Sequence, residues 1–332
     1  MKRRLLNWLV CPYCKGELTL CASREEENEI EEGALDCKTC HKTFPVVRGI
    51  PRFVPSEQYA ASFGRQWNRY AKLQLDAYNG TTFSRQRFYS ITEWDAAAMS
   101  GKLVLDVGCG AGRFAEVVLR DGAEVVAADL SSAVDACRRN LGTNPKLHCV
   151  QASIYELPLR DAIFDYVYCI GVIQHTPDPR RSVLSILSKV VSGGKVGFWI
   201  YELNWKSFVG TAGFKYGLRP LTRRMSLVRL ERLCAKLEAI CWPINRWARR
   251  RGALGKAVMR ALPVACAHLQ DTPLSQGDFR EWVRLDTFDM YSPAHDHPQR
   301  FSTVKSWLEN AGFKVAPRHP HGAVSITATR LC

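Results

Sequence analysis

Between residues 102 and 201 the chain alternates short, almost wholly apolar runs with longer stretches whose apolar residues recur every third or fourth position. "KLVLDVG", "EVVAADL", "LHCVQA", "FDYVYCIGVI" and "KVGFWIY" have the length and β-branched content of buried strands. "GRFAEVVLRDG", stopped by Gly122, "SAVDACRRNLG" and "DPRRSVLSILSKVV" carry helical periodicity between them. Strands apolar on both faces and separated by helices predict a parallel sheet covered on both sides. Ligands of such sheets sit at the carboxyl ends of the strands, near the point where the strand order reverses.

At that end of the first strand, "VLDVGCGAGRF" places Gly108, Gly110 and Gly112 at alternate positions. Glycines let a backbone bend tightly and approach a ligand with no side chain in the way. A dinucleotide fingerprint would need glycine at 113, where this chain has Arg113. Asp106 also opposes a pyrophosphate, because a carboxylate at the strand end repels phosphate and suits a cofactor with a cationic amino group. Asp129 follows at the end of the second strand, 21 residues after Gly108, where an acid accepts both hydroxyls of a ribose. That feature is shared by adenosyl and nicotinamide ligands and does not separate them.

The run from "VLDVGCGAGRFAEVVLRDGAEVVAADLSSAVDACRRN" through "LPLRDAIFDYVYCIGVIQHTPDPRRSV" to "SGGKVGFWIYE", resuming at "FSTVKSWLENAGFKVAPR", resembles the class I S-adenosylmethionine-dependent methyltransferases. The resemblance implies an α/β fold, with a Rossmann-like, seven-stranded, mostly parallel sheet, and S-adenosylmethionine as cofactor. It implies that Asp106 and the three glycines meet the methionine part and Asp129 the ribose. The turn "QASIYELP", with Ser153 and Ile154, would meet the adenine; Leu130 and Gly171 complete the implied cofactor set. Many relatives have aspartate where this chain has Ser153, so weaker adenine recognition is expected.

The amino-terminal segment has a different pattern. Cys11-x-x-Cys14 and Cys37-x-x-Cys40 are two knuckles 22 residues apart, with the acidic run "EEENEIEE" between them as a solvated hairpin tip. Four thiolates from two tight corners suit tetrahedral zinc, and a site filled by four thiolates leaves no position open for catalysis. A structural Zn2+ is therefore expected, with Cys21 and His41 as spares. "CPYCKGELTL" and "LDCKTCHKTFPVVRGIPRFV" resemble the small zinc-ribbon proteins that partner methyltransferases, here fused to the enzyme. The implied organisation is a zinc ribbon (1–54), a linker with cofactor-covering helices (55–99) and a methyltransferase core (100–202). A basic helical insertion or cap (203–290) and the carboxyl-terminal part of the core (291–332) follow. In the linker, Phe63, Trp67 and Tyr70 fall at helical spacing as a packing face, with Gln66 and Arg87 as candidates for a cofactor lid.

Methyl transfer requires an oriented acceptor and, where a proton must leave, a base. His175, in "GVIQHTPDP" after the fourth strand, is the candidate base; tying down its own loop is the alternative role. "LDTFDMYSPAHDHPQ" brings Asp289, Tyr291, His295 and His297 together as an acceptor-pocket lining or as a loop bonded to itself. Tyr291 and His295 join His175 as the candidate catalytic set.

Charge changes the picture in one place. The chain is +14 overall, and residues 203–270 hold fourteen Lys and Arg against Glu231 and Glu238. There Leu227, Leu230, Leu233, Cys234, Leu237 and Ile240 mark an apolar helical face, with Arg229, Arg232 and Lys236 on another. Such a segment suits peripheral contact with a membrane surface, a nucleic acid or a solvated cap over the pocket. No apolar run approaches the ~18 residues of a transmembrane helix. The scattered thiols fit a reduced, cytoplasmic protein, with a peripheral position at the membrane as an option. The favoured acceptor is a small molecule, glycan or lipid-linked group. RNA, of ribosomal or transfer type, is the alternative partner. It is disfavoured by a nearly neutral ribbon and by "GVIQHTP" where amino-methylating RNA enzymes carry an Asn/Asp-Pro-Pro-aromatic motif.

Overall fold

The protein is described by a computed structural model covering residues 1–55, 58–203, 211–318 and 323–332. Residues 204–210 of the basic segment lie outside these described residues.

The amino-terminal unit is an antiparallel sheet of β1 (Leu18–Glu26), β2 (Glu29–Cys37), β3 (Thr43–Val47) and β4 (Ile50–Pro51), in that order. Glu27 and Asn28 both have positive φ at the β1–β2 turn, the backbone of a two-residue hairpin that follows the strands' twist. The acidic run forms this tip, as expected. Helices α1 (Ala61–Arg69), α2 (Asp76–Asn79) and α3 (Phe83–Thr92) then lead into the main sheet. The backbone N–H groups of Asp76 and Ala77 donate to the buried carboxylate of Glu116 at 2.8 and 3.2 Å, which seats α2 on the core.

The main sheet contains β5 (Leu103–Val107), β6 (Glu124–Asp129), β7 (Leu147–Gln151), β8 (Phe164–Ile170), β9 (Val190–Ile200), β10 (Phe313–Val315) and β11 (Val324–Arg330). Its order is β10-β11-β9-β8-β5-β6-β7, parallel except for β11, which is antiparallel to both neighbours. Helices α4 (Arg113–Arg120), α5 (Ala133–Leu141) and α6 (Pro179–Leu187) make the crossovers. Asp178 caps α6 by accepting from the N–H of Arg181, with Pro179 just inside the start. Leu105, Val107, Val126, Ala128, Val167 and Cys169 point to one side of the sheet. Val104, Val125, Ala127, Tyr166 and Tyr168 point to the other. The period of two is complete on both faces, which is why these strands read as unbroken apolar runs.

The ribbon shares the first of these cores. Leu5, Leu9, Ile30, Leu35 and Phe44 belong to the same buried cluster as Leu105, Val126 and Leu159. Backbone bonds join the two units: Phe53 N–H donates to the Gln151 carbonyl at 2.9 Å and Val10 N–H to Pro158 at 3.0 Å. Arg52 places a two-pronged guanidinium on Asp135 (2.8 and 3.0 Å) and also reaches the Gln151 side chain at 2.9 Å.

The insertion comprises α7 (Thr211–Thr222), α8 (Leu227–Ala248), α9 (Gly252–Arg260) and α10 (Gln276–Tyr291). Helix α11 (Phe301–Asn310) returns to the sheet, so the expected boundary between residues 290 and 291 falls within the last turn of α10. Both acids of α8 turn inward. Glu231 accepts from Arg65 (2.7 Å) and Arg69 (3.2 Å) of α1, and Glu238 from Arg280 (2.7 Å) and Arg284 (2.8 Å) of α10. Leu230 and Cys234 are buried and Leu237 packs beside them, but Ile240, expected on the same face, is 73% exposed. At 100° per residue Ile240 stands 60° beyond Leu237 and joins Ile244 and Trp247 on the outer side. Among the described residues no helix is long and apolar enough to cross a membrane.

The ribbon's anchor gives a stability prediction. Burial by itself would raise the Asp135 carboxyl, but Arg52 and Arg48 hold it below the ordinary range. Its ion pairs therefore stabilise the fold above the unfolded carboxyl pKa of about 4 and are lost as pH falls through the lower folded value. Arg52→Met is expected to cost about 2–3 kcal/mol at pH 7. In urea denaturation that difference should shrink below about pH 4; a gap independent of pH would remove the charge from the explanation.

Candidate functional site

The loop after β5 is shaped by close approach. Gly108 has φ +81°, and a Cβ there would lie 2.3 Å from the Val172 side chain. Gly110 has φ +53° and lies under the Trp67 ring, 3.3 Å from where its Cβ would stand. The Gly110 N–H donates to one carboxylate oxygen of Asp129 at 2.9 Å, and the N–H and hydroxyl of Ser131 donate to the other at 2.8 and 2.7 Å. The acid at the end of β6 thus ties the glycine loop to its own strand end.

Above the carboxyl ends of β5, β6, β8 and β9 lies a cavity of about 560 Å³. One end is walled by Gly108, Gly110, Asp129, Leu130, Ile154 and Gly171, all expected at the cofactor. Gly112, also expected there, lies outside the wall and, at φ +92°, starts α4. Asp106 does not line the cavity: it is buried beside Tyr168, and its Oδ2 has no partner among the described residues. Burial, with the charge of Asp129 adding to it, pushes the Asp106 carboxyl up to about 8. A carboxyl with one unpartnered oxygen behind the glycine loop would ionise more readily beside a cationic amino group and less readily beside a phosphate. Ser153 is also outside the wall, because its hydroxyl accepts from the N–H of Tyr155 at 3.2 Å and closes a turn. Its neighbours Ala152, Ile154 and Leu157 form the wall there, an apolar slot for a flat base.

The other end of the cavity is built from segments far apart in the chain. Phe63, Gln66 and Trp67 of α1 face it, as do Arg87 of α3, Lys215 of α7 and Trp282, Asp286 and Asp289 of α10. His175 also lines the cavity, with the rings of Phe63 and Tyr201 each 5.3 Å away. Its Nδ1 is 3.0 Å from the carbonyl oxygen of His295, which can only accept, so Nδ1 carries the proton and Nε2 the lone pair. Nε2 is buried with no partner among the described residues. Burial pulls this imidazole down to about 4; the His295 carbonyl and Asp296 oppose the fall, and Lys215 and Arg219 add to it. Asp289 accepts from Gln66 at 3.3 Å, and burial raises its carboxyl to about 6.

Two expected residues stand elsewhere. Tyr291 is fully buried among Leu230, Cys234 and Phe288, and its hydroxyl donates to the Pro263 carbonyl at 3.0 Å. Asp289 faces the cavity, and two residues along a helix is a rotation of 200°, so Tyr291 cannot. His295 is not in the wall either; its ring lies between Tyr59 and His297, and its contribution is the carbonyl that orients His175. Arg113, Lys215, His268, Trp282 and Asp286 line the cavity although no local motif marked them as site residues. Each comes to the cavity by tertiary packing alone.

In the ribbon the Sγ atoms of Cys11, Cys14, Cys37 and Cys40 lie within 4.8 Å of one another. The Cys40 N–H points at Cys37 Sγ (3.5 Å), and backbone donation of this kind draws that thiol down to about 6. Four convergent thiols with N–H donors fit a tetrahedral zinc and no open, catalytic position.

Comparison with known proteins agrees with this geometry. Residues 105–198 match the methyltransferase domain family and residues 2–49 the Trm112p-like protein family. A Ubiquinone biosynthesis O-methyltransferase from Coxiella burnetii is 32% identical over 127 residues, 37% of this chain and 54% of that protein. An uncharacterized Synechococcus protein is 25% identical over 236 residues, 68% of this chain and 50% of the other. The chain thus spans about half the length of the curated relatives it matches. Among solved structures, the complex of the Haloferax volcanii Trm112 methyltransferase activator with a putative methyltransferase is 15% identical. It has a TM-score of 0.40 and covers 77% of this chain and 78% of that one. The chain carries a class I S-adenosylmethionine-dependent methyltransferase domain behind a Trm112-like, zinc-binding ribbon.

Elemental analysis of protein expressed with zinc available should find about one zinc per chain. Cys37→Ser should lose it. Because the ribbon and the catalytic domain share one core, the melting temperature of the whole chain should fall with it, by roughly 5 °C or more. A zinc-free protein with unchanged melting would dismiss the site.

Proposed function

We propose that the chain transfers the methyl group of S-adenosylmethionine to a small or lipid-linked acceptor held in the inner half of the cavity, with His175 as proton acceptor. The observation that carries this reading is the buried Nε2 of His175 in the cavity wall, without a partner among the described residues. When bound, the cofactor supplies an activated methyl on a sulfonium; the acceptor's electron pair takes the methyl and the carbon–sulfur pair returns to sulfur. Asp129 would hold the ribose, Asp106 and the glycine loop the methionine end, and the slot at Ile154 and Leu157 the adenine. The His295 carbonyl fixes the His175 tautomer, leaving Nε2 to receive the acceptor's proton. Phe63, Trp67 and the α10 side chains would keep water out of the transfer.

A concave cavity of about 560 Å³ lined largely by apolar and aromatic side chains supports a small acceptor group over a polymer surface. RNA is further disfavoured by the ribbon, whose Lys2 and Arg52 are spent on pairs with Glu29 and Asp135, while its Glu29 and Glu31 hold Arg138 of α5. The acceptor itself can be sought by transfer of labelled methyl to fractionated cell extract. With it in hand, His175→Gln is expected to lower kcat about 10²–10⁴-fold, with the Kd for S-adenosylmethionine unchanged. The imidazole's folded value is depressed, so it stays neutral across the neutral range and is protonated only as pH falls through about 4. The acid limb of kcat/KM should therefore appear below about pH 5 and not near 6.5. An acid limb near 6.5, or a variant with normal kcat, would leave His175 as a loop tie.

The outer face of the insertion supports peripheral membrane contact. Ile240, Ile244 and Trp247 are 73%, 44% and 45% exposed along one stripe of α8, and Leu254 of α9 is 62% exposed. Arg229, Arg232, Lys236, Arg246, Arg250 and Arg251 are exposed around them, while both acids of α8 are paired inward. Exposed aliphatic groups gain nothing from phosphates but insert at a lipid interface, where each nearby basic residue adds about 1 kcal/mol. Binding to vesicles should rise with anionic lipid and fall with salt, and Ile240→Glu with Trp247→Glu should weaken it at least about tenfold without changing the circular dichroism. Salt-sensitive RNA binding without vesicle binding would assign this face to nucleic acid.

A further inference from the structure

The inner half of the cavity contains two guanidiniums that the reading above leaves unused. Arg113, the first residue of α4, donates Nε to Ser84 Oγ at 2.9 Å and Nη1 to Gln74 Oε1 at 3.0 Å. Its Nη2 is sealed from solvent with no partner among the described residues. Its guanidinium carbon lies over the rings of Phe114, Trp282 and Phe83 at 5.0, 5.4 and 5.7 Å. Arg87 stacks 4.7 Å above Trp199, and no hydrogen bond holds it among the described residues.

Neither guanidinium has a carboxylate within ion-pair distance among the described residues, in a protein where buried basic groups elsewhere are paired. Lys215 has Asp296 at 2.6 Å, and Arg52 has Asp135 at 2.8 Å. The acid whose charge reaches both, Asp286, is bonded to His268 at 2.8 Å, and Asp289 is occupied by Gln66. Burial and mutual repulsion pull the Arg113 guanidinium down to about 9, and burial lowers Arg87 as well. Two like charges that line one partly buried cavity with no carboxylate partner are costly unless an anion joins them. A planar fork suits the paired oxygens of an oxyacid, and the indole and phenyl walls suit a flat ring.

We propose that Arg87 and Arg113 form an anion-reading end of the acceptor site and that the methyl acceptor is an aromatic small molecule bearing a carboxylate or phosphate. The anion sets the ring's register between Trp199 and Trp282, so that the group to be methylated is presented toward His175. This rests on the cavity being the acceptor site, and the test keeps the two apart by reading the cofactor and the anion separately.

Full-length, zinc-loaded protein is first titrated with S-adenosylmethionine by calorimetry. Protein saturated with S-adenosylhomocysteine is then titrated with phenyl phosphate, benzoate and benzyl alcohol by ligand-observed NMR. The two anions should bind about tenfold or more tighter than the alcohol, as charge-assisted pairs imply. R87Q and R113Q should abolish that preference while leaving the S-adenosylmethionine Kd within about twofold of the parent. R87Q removes no hydrogen bond of the fold, and the comparison of anion with alcohol in the parent protein needs no variant, so misfolding of R113Q cannot shelter the proposal. Equal binding of anions and alcohol overturns it. A tenfold loss of S-adenosylmethionine affinity in either variant also overturns it, by giving the pair to the cofactor's carboxylate. Failure of the parent to bind S-adenosylmethionine at all would instead sink the methyl-transfer reading.

Discussion

The hydrogen bond from Phe53 N–H to the Gln151 carbonyl, with the Arg52 fork beside it on Asp135, is the contact on which the arrangement turns. Strand β7 is the edge of the main sheet, and an open edge leaves backbone groups unpaired. The chain leaving the ribbon supplies the missing partner, while Leu9 bridges to Leu159 on the next loop. Gln151 in turn donates to the carbonyl of Leu130 at 3.0 Å, so the ribbon's anchor is two bonds from the cofactor end of the cavity. The zinc therefore holds together a unit that helps to hold the slot at Ala152 and Ile154. A metal with no open coordination position would thus be connected to the cavity wall through packing and hydrogen bonds alone.

From that anchored end the site extends by recruitment. The sheet provides the glycine loop, Asp129 and His175; α1 is laid over them and clamped to α8 by Arg65 and Arg69 on Glu231. Helix α10 is held to the same helix by Arg280 and Arg284 on Glu238. These pairs fix the lid and the inner wall relative to each other, so Trp67 over Gly110 and Asp289 against Gln66 follow from one set of ionic contacts. Removing Glu231 would free α1, and removing Glu238 would free α10, each from its own side of the cavity.

The basic insertion thus has two faces with separate roles. Its inward acids and apolar residues hold α1 and α10, and its outward cations and Ile240, Ile244 and Trp247 stay exposed. Much of the net charge of this segment lies at the surface, while the acids of α8 are balanced by Arg65, Arg69, Arg280 and Arg284.

The fold, the glycine loop, the Asp129 position and the four-cysteine site were legible in the sequence. Each rests on local rules: a period of two, a period of 3.6, glycine at positive φ, and thiols in tight corners. Helical phase decided what those rules left open. Asp289 and Tyr291 are neighbours in sequence, yet only Asp289 meets the cavity, and Ile240 leaves the face that Leu237 occupies. The hydroxyl of Ser153 went to its own turn, a choice between local and ligand partners that composition does not settle. Arg113 read only as the residue that spoiled a dinucleotide pattern, because its neighbours Gln74, Ser84 and Trp282 lie up to 169 positions away in the chain. The sequence by itself determined the strands, the loop and the metal; the inner half of the cavity exists only after α1, α3, α7 and α10 have packed together.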